Sequence, residues 1–252
     1  MKTMSEPILA LMRNDRYPRS AAYDPAWILE NSMGSHCLWL QESLTQVMDL
    51  APGMRVLDMG CGRAISSIFL AKEFGLRVWA ADLWNDPTDN WRRIEAAGVG
   101  DLVCPIRADA AEMPFASGFF DAMVSVNSLF FYVDGPKFLK ERLLHLVRPG
   151  GGIGVIVPGF HRAYADGVPE PLRPHWSEQL DKWRTLDWWR LCFTQTGLVE
   201  LALADTLPDG DGTKLFHDFA RIEGVDKAPF HVLAGDNITF QRIVAVRREA
   251  GL

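Results

Sequence analysis

The residues whose types and spacing could do chemistry stand between positions 56 and 82. Val56-Leu57-Asp58-Met59-Gly60-Cys61-Gly62-Arg63-Ala64 reads as a short apolar strand, Arg55 to Asp58, running into a glycine loop and then an amphipathic helix over Ile65 to Phe74. Gly60 and Gly62 carry no side chain and tolerate unusual dihedrals, so a ligand can approach bare backbone there. The next apolar strand, Leu76 to Ala81, ends in Asp82, 24 residues after Asp58. A carboxylate in that position can accept two hydrogen bonds from a ribose diol. The spacing predicts a nucleoside-binding βαβ unit.

The dinucleotide fingerprint G-x-G-x-x-G needs a third glycine at position 65, where this chain has Ile65. That glycine permits tight helix–strand packing around a pyrophosphate, so a nicotinamide-dependent oxidoreductase is disfavoured. The acid directly before the loop, in Asp58-x-Gly60-x-Gly62, points instead to a ligand with a cationic amine. Three further motifs follow in order: Ala81-Asp82-Leu83; Arg107-Ala108-Asp109-Ala110 with Phe119-Phe120-Asp121-Ala122; and Leu146-Val147-Arg148-Pro149-Gly150-Gly151. With them, the stretch from about Leu38 to Gly159 resembles the class I S-adenosylmethionine-dependent methyltransferases, in particular the small-molecule "type 11" group.

The resemblance implies S-adenosyl-L-methionine as cofactor and a set of site residues. Gly60, Cys61 and Gly62 would set backbone against the methionine part, with Cys61 a small filler and Ala64 in place of the family's third loop glycine. Asp58 would orient the loop and attract the ammonium group, and Asp82 would take the ribose hydroxyls. Leu83 and Trp84 would flank the adenine, Asp109 would bond its amine, and Ala110 would supply a backbone amide. Asn127, at the carboxyl end of the fourth strand, would face both cofactor and acceptor.

Those residues need a scaffold that brings strand ends together. Strands at 55–58, 77–82, 102–107, 121–126 and 152–157 alternate with helices at 64–74, 88–97 and 135–147, which predicts a parallel sheet covered on both faces. Pro105 lacks a donor and so assigns the third strand to a sheet edge. Asp24-Pro25 starts one N-terminal helix, Leu38 to Leu50 forms another, and Pro52-Gly53 stops it. After Pro158-Gly159 the alternation breaks. Pro169, Pro171, Pro174, Trp176 and Trp183 mark an insertion, helix 186–196 resumes the fold, and strands 198–204 and 238–246 flank a loop at 208–212. The expected fold class is α/β: a Rossmann-like, doubly wound, seven-stranded, mostly parallel sheet with N-terminal helical and post-fifth-strand lid insertions. One domain spans 1–252, divided into a helical cap (1–50), a cofactor-binding core (51–159), a lid insertion (160–184) and the rest of the sheet (185–252).

Composition narrows the partners. At 252 residues, 48% hydrophobic and 23% charged, the chain has ordinary globular proportions, and its net charge of −6 argues against a nucleic-acid partner. Cys37, Cys61, Cys104 and Cys192 form no C-x-x-C pair, which fits a reducing compartment. The apolar run Ile8 to Met12 is too short for a signal segment, and no stretch reaches the length of a membrane span. The expectation is a soluble, cytoplasmic protein with a small-molecule substrate and no stable membrane association; a homodimer is left open.

The fourth strand is followed by Asn127-Ser128-Leu129-Phe130-Phe131-Tyr132, an apolar and aromatic wall without carboxylate or imidazole. His36, His145, His161, His175, His217 and His231 show no metal-ligand spacing. His36 and His161 are placed to reach a bound acceptor, so Asn127, His36 and His161 are the candidate catalytic residues. Without an obvious base, methyl transfer favours an acceptor that is already nucleophilic: an amine, thiol or thiolate, phenolate or activated carbon. Trp188-Trp189, with Trp176, Trp183 and Tyr164, serve either ligand recognition or core packing. Two other readings stay open: a non-catalytic cofactor-binding regulator, and a cyclopropane-synthase-like methylation of lipid carbon.

Overall fold

The protein is described by a computed structural model covering residues 10–223 and 234–249. Part of the Ile8–Met12 run, and His231, lie outside the described residues. Helix α1 (Pro25–Asn31) opens as its sequence dictates. Asp24 accepts the amide of Ala26 and Pro25 occupies the first turn, where its missing N–H costs nothing. Helix α2 (Cys37–Thr45) is buried along its whole length. The buried Glu42 carboxylate ties the preceding chain to it, accepting the amides of Arg19 at 3.0 Å and Ser20 at 2.7 Å and the Ser20 hydroxyl at 2.6 Å.

The core then alternates: β1 (Arg55–Met59), α3 (Ile65–Phe74), β2 (Arg77–Asp82), α4 (Pro87–Ala96), β3 (Val103–Arg107), β4 (Phe120–Val126) and β5 (Val147–Phe160). A two-residue strand β6 (Arg184–Thr185), α5 (Leu186–Thr194), β7 (Val199–Thr206), α6 (Asp211–Glu223) and β8 (Ile238–Arg247) complete it. The sheet runs β3-β2-β1-β4-β5-β8-β7, with β6 pairing β5 off this path. β8 is antiparallel to β5 and β7, and the other pairings are parallel. The mostly parallel α/β sheet is thus as expected, except that β6 makes eight strands. β3 is the outer strand, and Pro105 stands on it.

Other elements differ from the sequence reading. The expected helix 135–147 is broken into an α turn (Pro136–Phe138), a π segment (Leu139–Leu143) and a 3₁₀ turn (Leu144–Leu146). β5 runs well beyond 152–157 at both ends. The loop at 208–212 is a 3₁₀ turn, Pro208–Gly210, that leads straight into α6.

Strand register decides what meets at the site. Asp58 stands opposite Ala80 on β2 and Val124 on β4, so the loops that follow β1, β2 and β4 emerge side by side. Helix α2 and the turn after it lie over β4 and β5, with Leu40 and Leu44 fully buried, each contributing about 1.5–3 kcal/mol. Gly154 permits that approach, because a Cβ there would collide with Met48 Sδ. The N-terminal segment is thereby held at the carboxyl edge of the sheet.

Candidate active site

The glycine loop is shaped by its neighbours. The amides of Gly60 and Cys61 both donate to the Ala81 carbonyl, at 2.8 and 3.1 Å. Gly60, Gly62 and Ala64 have φ of 74°, 56° and 60°. In the left-handed region a side chain costs about 1–2 kcal/mol, and Ala64, fully buried, meets that cost in its own backbone. A Cβ on Gly60 would collide with Ser128 Oγ, and one on Gly62 would stand 3.2 Å from Met33 Sδ. Asn90, buried on α4, clamps the loop from outside by donating to the Gly62 carbonyl at 2.9 Å.

Asp58 lies beneath this loop, fully buried. Its Oδ2 accepts the hydroxyls of Ser66 and Ser67, both at 2.6 Å, which fixes the first turn of α3. Burial pushes its carboxyl up to about 6; the two hydroxyls pull it down, and the Asp82 charge adds to the rise. Its Oδ1 has no hydrogen-bond partner. Asp58 lines neither cavity of the cleft. The expected attraction of an ammonium group is therefore corrected: the acid is fully buried behind the loop, away from both cavities, and organises it through Ser66 and Ser67.

Two adjoining cavities open over the loop. The smaller, about 260 Å³, is bounded by Gly60, Asp82, Leu83, Trp84, Asp109 and Ala110, with Phe131 and Tyr132 opposite. The larger, about 480 Å³, runs from Cys61, Gly62 and Arg63 to Asn31 and Met33 and reaches Asn127 and Gln179. Gly60, Asp82, Trp84, Ser128 and Phe131 border both. Asp82 stands at the junction. Its Oδ2 accepts the Gly62 amide at 2.9 Å, and its Oδ1 accepts the amides of Trp84 and Asn85 and the Asn85 side chain, each at 2.9 Å. One oxygen is therefore saturated by the turn, and Oδ2 keeps room for a further donor. The next helix, α4, is capped by Asp86. Leu83 and Trp84 are exposed, the latter edge-on to Phe131 at 5.5 Å. Asp109 accepts the Ala111 amide at 2.8 Å and presents its carboxylate at the rim.

Asn127 is the other strained residue, with φ 55° and its amide donating to the Ile156 carbonyl at 2.8 Å. Its side chain abuts Gly34, where a Cβ would leave no room for it. Strained backbone of this kind gathers at functional sites. Tyr132 shares a 3.2 Å hydrogen bond with Ser128, and burial holds its phenol well above the ordinary tyrosine range. Phe131, rather than the buried Phe130, faces the cleft.

Neither histidine borders either cavity. His36 is 1% exposed, stacked on Trp39 at a 4.0 Å centroid distance, and its Nδ1 accepts the Trp39 amide. Burial lowers its pKa to about 3, so it stays neutral. His161 is exposed at the end of β5 and its amide donates to the Asn237 carbonyl. The expectation that either reaches the acceptor is corrected: one side chain is consumed as a helix cap, and the other projects beyond the strand end. The insertion's aromatics pack together, Phe160 against Trp176 at 5.7 Å and Trp183 at 5.5 Å, and do not line the cleft. From the insertion, Gln179 reaches the larger cavity, and Lys182 donates to the Phe131 carbonyl at 2.7 Å. Sequence spacing does not single out Asn31, Met33, Cys37, Asn90 or Gln179 as site residues, since none carries a motif position, and Arg63 stands inside the loop motif at a position to which the motif gives no role. Cys37 and Cys61 are buried thiols held above the ordinary range by that burial.

The mostly parallel sheet, the acid–glycine loop and a ligand-sized cleft at its carboxyl edge make a Rossmann-like α/β fold. Residues 56–151 match the family model described as a methyltransferase domain. Over 151 residues it is 37% identical to the demethylmenaquinone methyltransferase of Clavibacter sepedonicus, covering 58% of this chain and 59% of that one. Over 131 residues it is 36% identical to the chloroplastic tocopherol O-methyltransferase of Arabidopsis thaliana, covering 51% and 36%. The chain thus spans about half the length of the curated relatives it matches. The solved Haemonchus contortus phosphoethanolamine N-methyltransferase 2, in complex with S-adenosyl-L-methionine, superposes with a TM-score of 0.71 at 19% identity, covering 98% of this chain and 61% of that one. At that identity the likeness is one of fold.

Proposed function

We propose that this protein transfers a methyl group from S-adenosyl-L-methionine to a small-molecule acceptor, and that placement rather than proton abstraction carries the catalysis. The supporting observation is the two-part cleft around the loop. The smaller cavity has apolar walls suited to a purine, the rim acid Asp109, and Asp82 at the ribose position, while the larger continues over Gly62 toward Asn127. The loop suits such a ligand because Gly60 brings side-chain-free backbone to the border of both cavities and Gly62 to that of the larger one. When bound, the cofactor supplies a methyl group on a sulfonium, whose charge is lost as the methyl leaves.

The chain's own residues orient and dry the reaction. Phe131, Trp84 and Met33 wall the larger cavity with apolar surface, and Asn127 offers a held amide to the acceptor. Orientation in such a pocket supplies up to about 7–11 kcal/mol of the barrier. Among the described lining residues, the titratable groups are Asp82, engaged by its turn, the rim acid Asp109, the buried thiols, Arg63, and Tyr132. None is arranged as a free base beside the acceptor, which favours an acceptor that needs no deprotonation. Of the described residues, 10–50 would serve as cap and 160–184 as lid, a reading supported by Asn31, Met33 and Gln179 at the larger cavity.

Among the described residues no helix is long and apolar enough to cross a membrane. Calorimetry with S-adenosylhomocysteine and a radiolabelled methyl-transfer screen over amine, thiol, phenol and enol acceptors test the reading. Tight binding with turnover on one class supports it; binding without turnover on any class favours the regulatory alternative, and no binding defeats both.

A further inference from the structure

We infer that Arg63 binds the carboxylate of the cofactor's methionine part. This rests on the reading of the cleft as an S-adenosylmethionine site. Arg63 is the single Lys or Arg among the described residues lining either cavity, and Asp82 is the single carboxylate lining the larger one. The methionine end of the cofactor brings a carboxylate into that cavity, and Arg63 is the cationic group there to meet it, while Asp82 already holds the Gly62 amide and the 83–85 turn.

The arginine is held ready for this. One guanidinium nitrogen, Nη1, donates to the Glu30 carbonyl on α1, which ties the side chain to the N-terminal segment. The guanidinium has no ion-pair partner among the described residues, in a chain of net charge −6. With Nη1 occupied, Nε and Nη2 remain as donors in the planar geometry that fits a carboxylate. Lysine could not reproduce that fork. Ile65 and Ser66, from the start of α3, border the same cavity, and that helix begins at Ala64 without a side-chain cap, so its dipole favours an anion on the same side. The N-terminal segment, through Glu30, thus positions a cofactor-binding side chain that belongs to the glycine loop.

Titration calorimetry on the full chain separates this role from a structural one. The ligands are S-adenosylhomocysteine and 5′-methylthioadenosine, which keeps the nucleoside and thioether and lacks the amino-acid charges. R63M should weaken S-adenosylhomocysteine binding by about ten- to a hundredfold and 5′-methylthioadenosine by less than about threefold. R63K should fall between, keeping charge without the fork. The inference is overturned if R63M binds S-adenosylhomocysteine within about threefold of the parent, or if both ligands weaken equally, the mark of a displaced loop. If R63M melts below the assay temperature, the ratio of the two affinities in R63K carries the same test. A parent protein that binds neither ligand removes the underlying reading instead.

Discussion

Gly60→Ala isolates the steric demand at the centre of the cleft. Two costs act at this position. The left-handed backbone, φ 74°, costs an alanine about 1–2 kcal/mol. The added methyl then meets Ser128 Oγ and Cβ, and such overpacking adds about 1–3 kcal/mol. Gly98 separates the two, because its φ is 73° and nothing lies within 4 Å of the place its Cβ would take. Gly98→Ala should therefore lose only the backbone part, about 2–8 °C of melting temperature at roughly 2–4 °C per kcal/mol, and bind S-adenosylhomocysteine like the parent. Gly60→Ala should lose about twice as much stability and at least tenfold in affinity. Combining it with Ser128→Gly should recover the collision part, measured against Ser128→Gly alone, and leave the backbone part. Melting curves and calorimetry on these variants decide the matter. Equal behaviour of Gly60→Ala and Gly98→Ala in both assays would refute the claim that Ser128 makes glycine obligatory.

Asp82→Ala should weaken S-adenosylhomocysteine by about 1.5–3 kcal/mol or more, since it removes the free acceptor of Oδ2 and the turn it organises; calorimetry within threefold of the parent would exclude the ribose role. The Asp58 carboxyl, raised from 3.8 to about 6, binds its proton more tightly in the folded chain than in the unfolded one. Its contribution is present in full below pH 3.8, is lost as pH rises through 6, and amounts to on the order of 3 kcal/mol. Asp58→Asn should therefore flatten the melting-temperature profile between about pH 4 and 7, and an unchanged slope counts against the shift. His161→Ala should keep turnover within about threefold and His36→Ala within about tenfold after correction for unfolded protein, whereas Asn127→Leu should lower kcat much more than it raises KM; a thousandfold loss in one histidine variant with binding intact would identify a base. Hydrogen exchange in residues 25–36 and 176–184 should slow when S-adenosylhomocysteine binds, and unchanged exchange there argues against the cap and lid.

The parts of the fold that announce themselves are those where local chemistry and tertiary need coincide. An apolar strand, an acid and two glycines at 56–62 admit few other conformations, and Pro105 on the outer strand follows from its missing donor. The start of helix α6 reads as loop because Pro208, Asp209, Gly210 and Gly212 carry turn chemistry; Gly212 is instead required by its contact with β8, where a Cβ would crowd Thr239 and Phe240. The broken stretch 136–146 follows helical periodicity, which does not report a π segment. At the site, Asp58 and Asp82 are legible as types and positions, but not which hydrogen bonds they already make. Ser66 and Ser67 take one acid and the 83–85 turn takes the other. His36 escapes a sequence reading for a related reason, since the stack on Trp39 three residues on depends on where α2 begins. Arg63, Met33 and Gln179 depend on how distant segments converge, and no local spacing signals that.

The two cavities share Gly60, Asp82, Trp84, Ser128 and Phe131 as a common border. Whatever fills the nucleoside side therefore becomes part of the floor that the second molecule lands on. A free-energy coupling between the two ligands is built into that geometry, and it acts equally in both directions. On the proposed reading of the cleft, the spent nucleoside would hold the same border as its precursor, so a protein of this design would gain from another activity that removes its product.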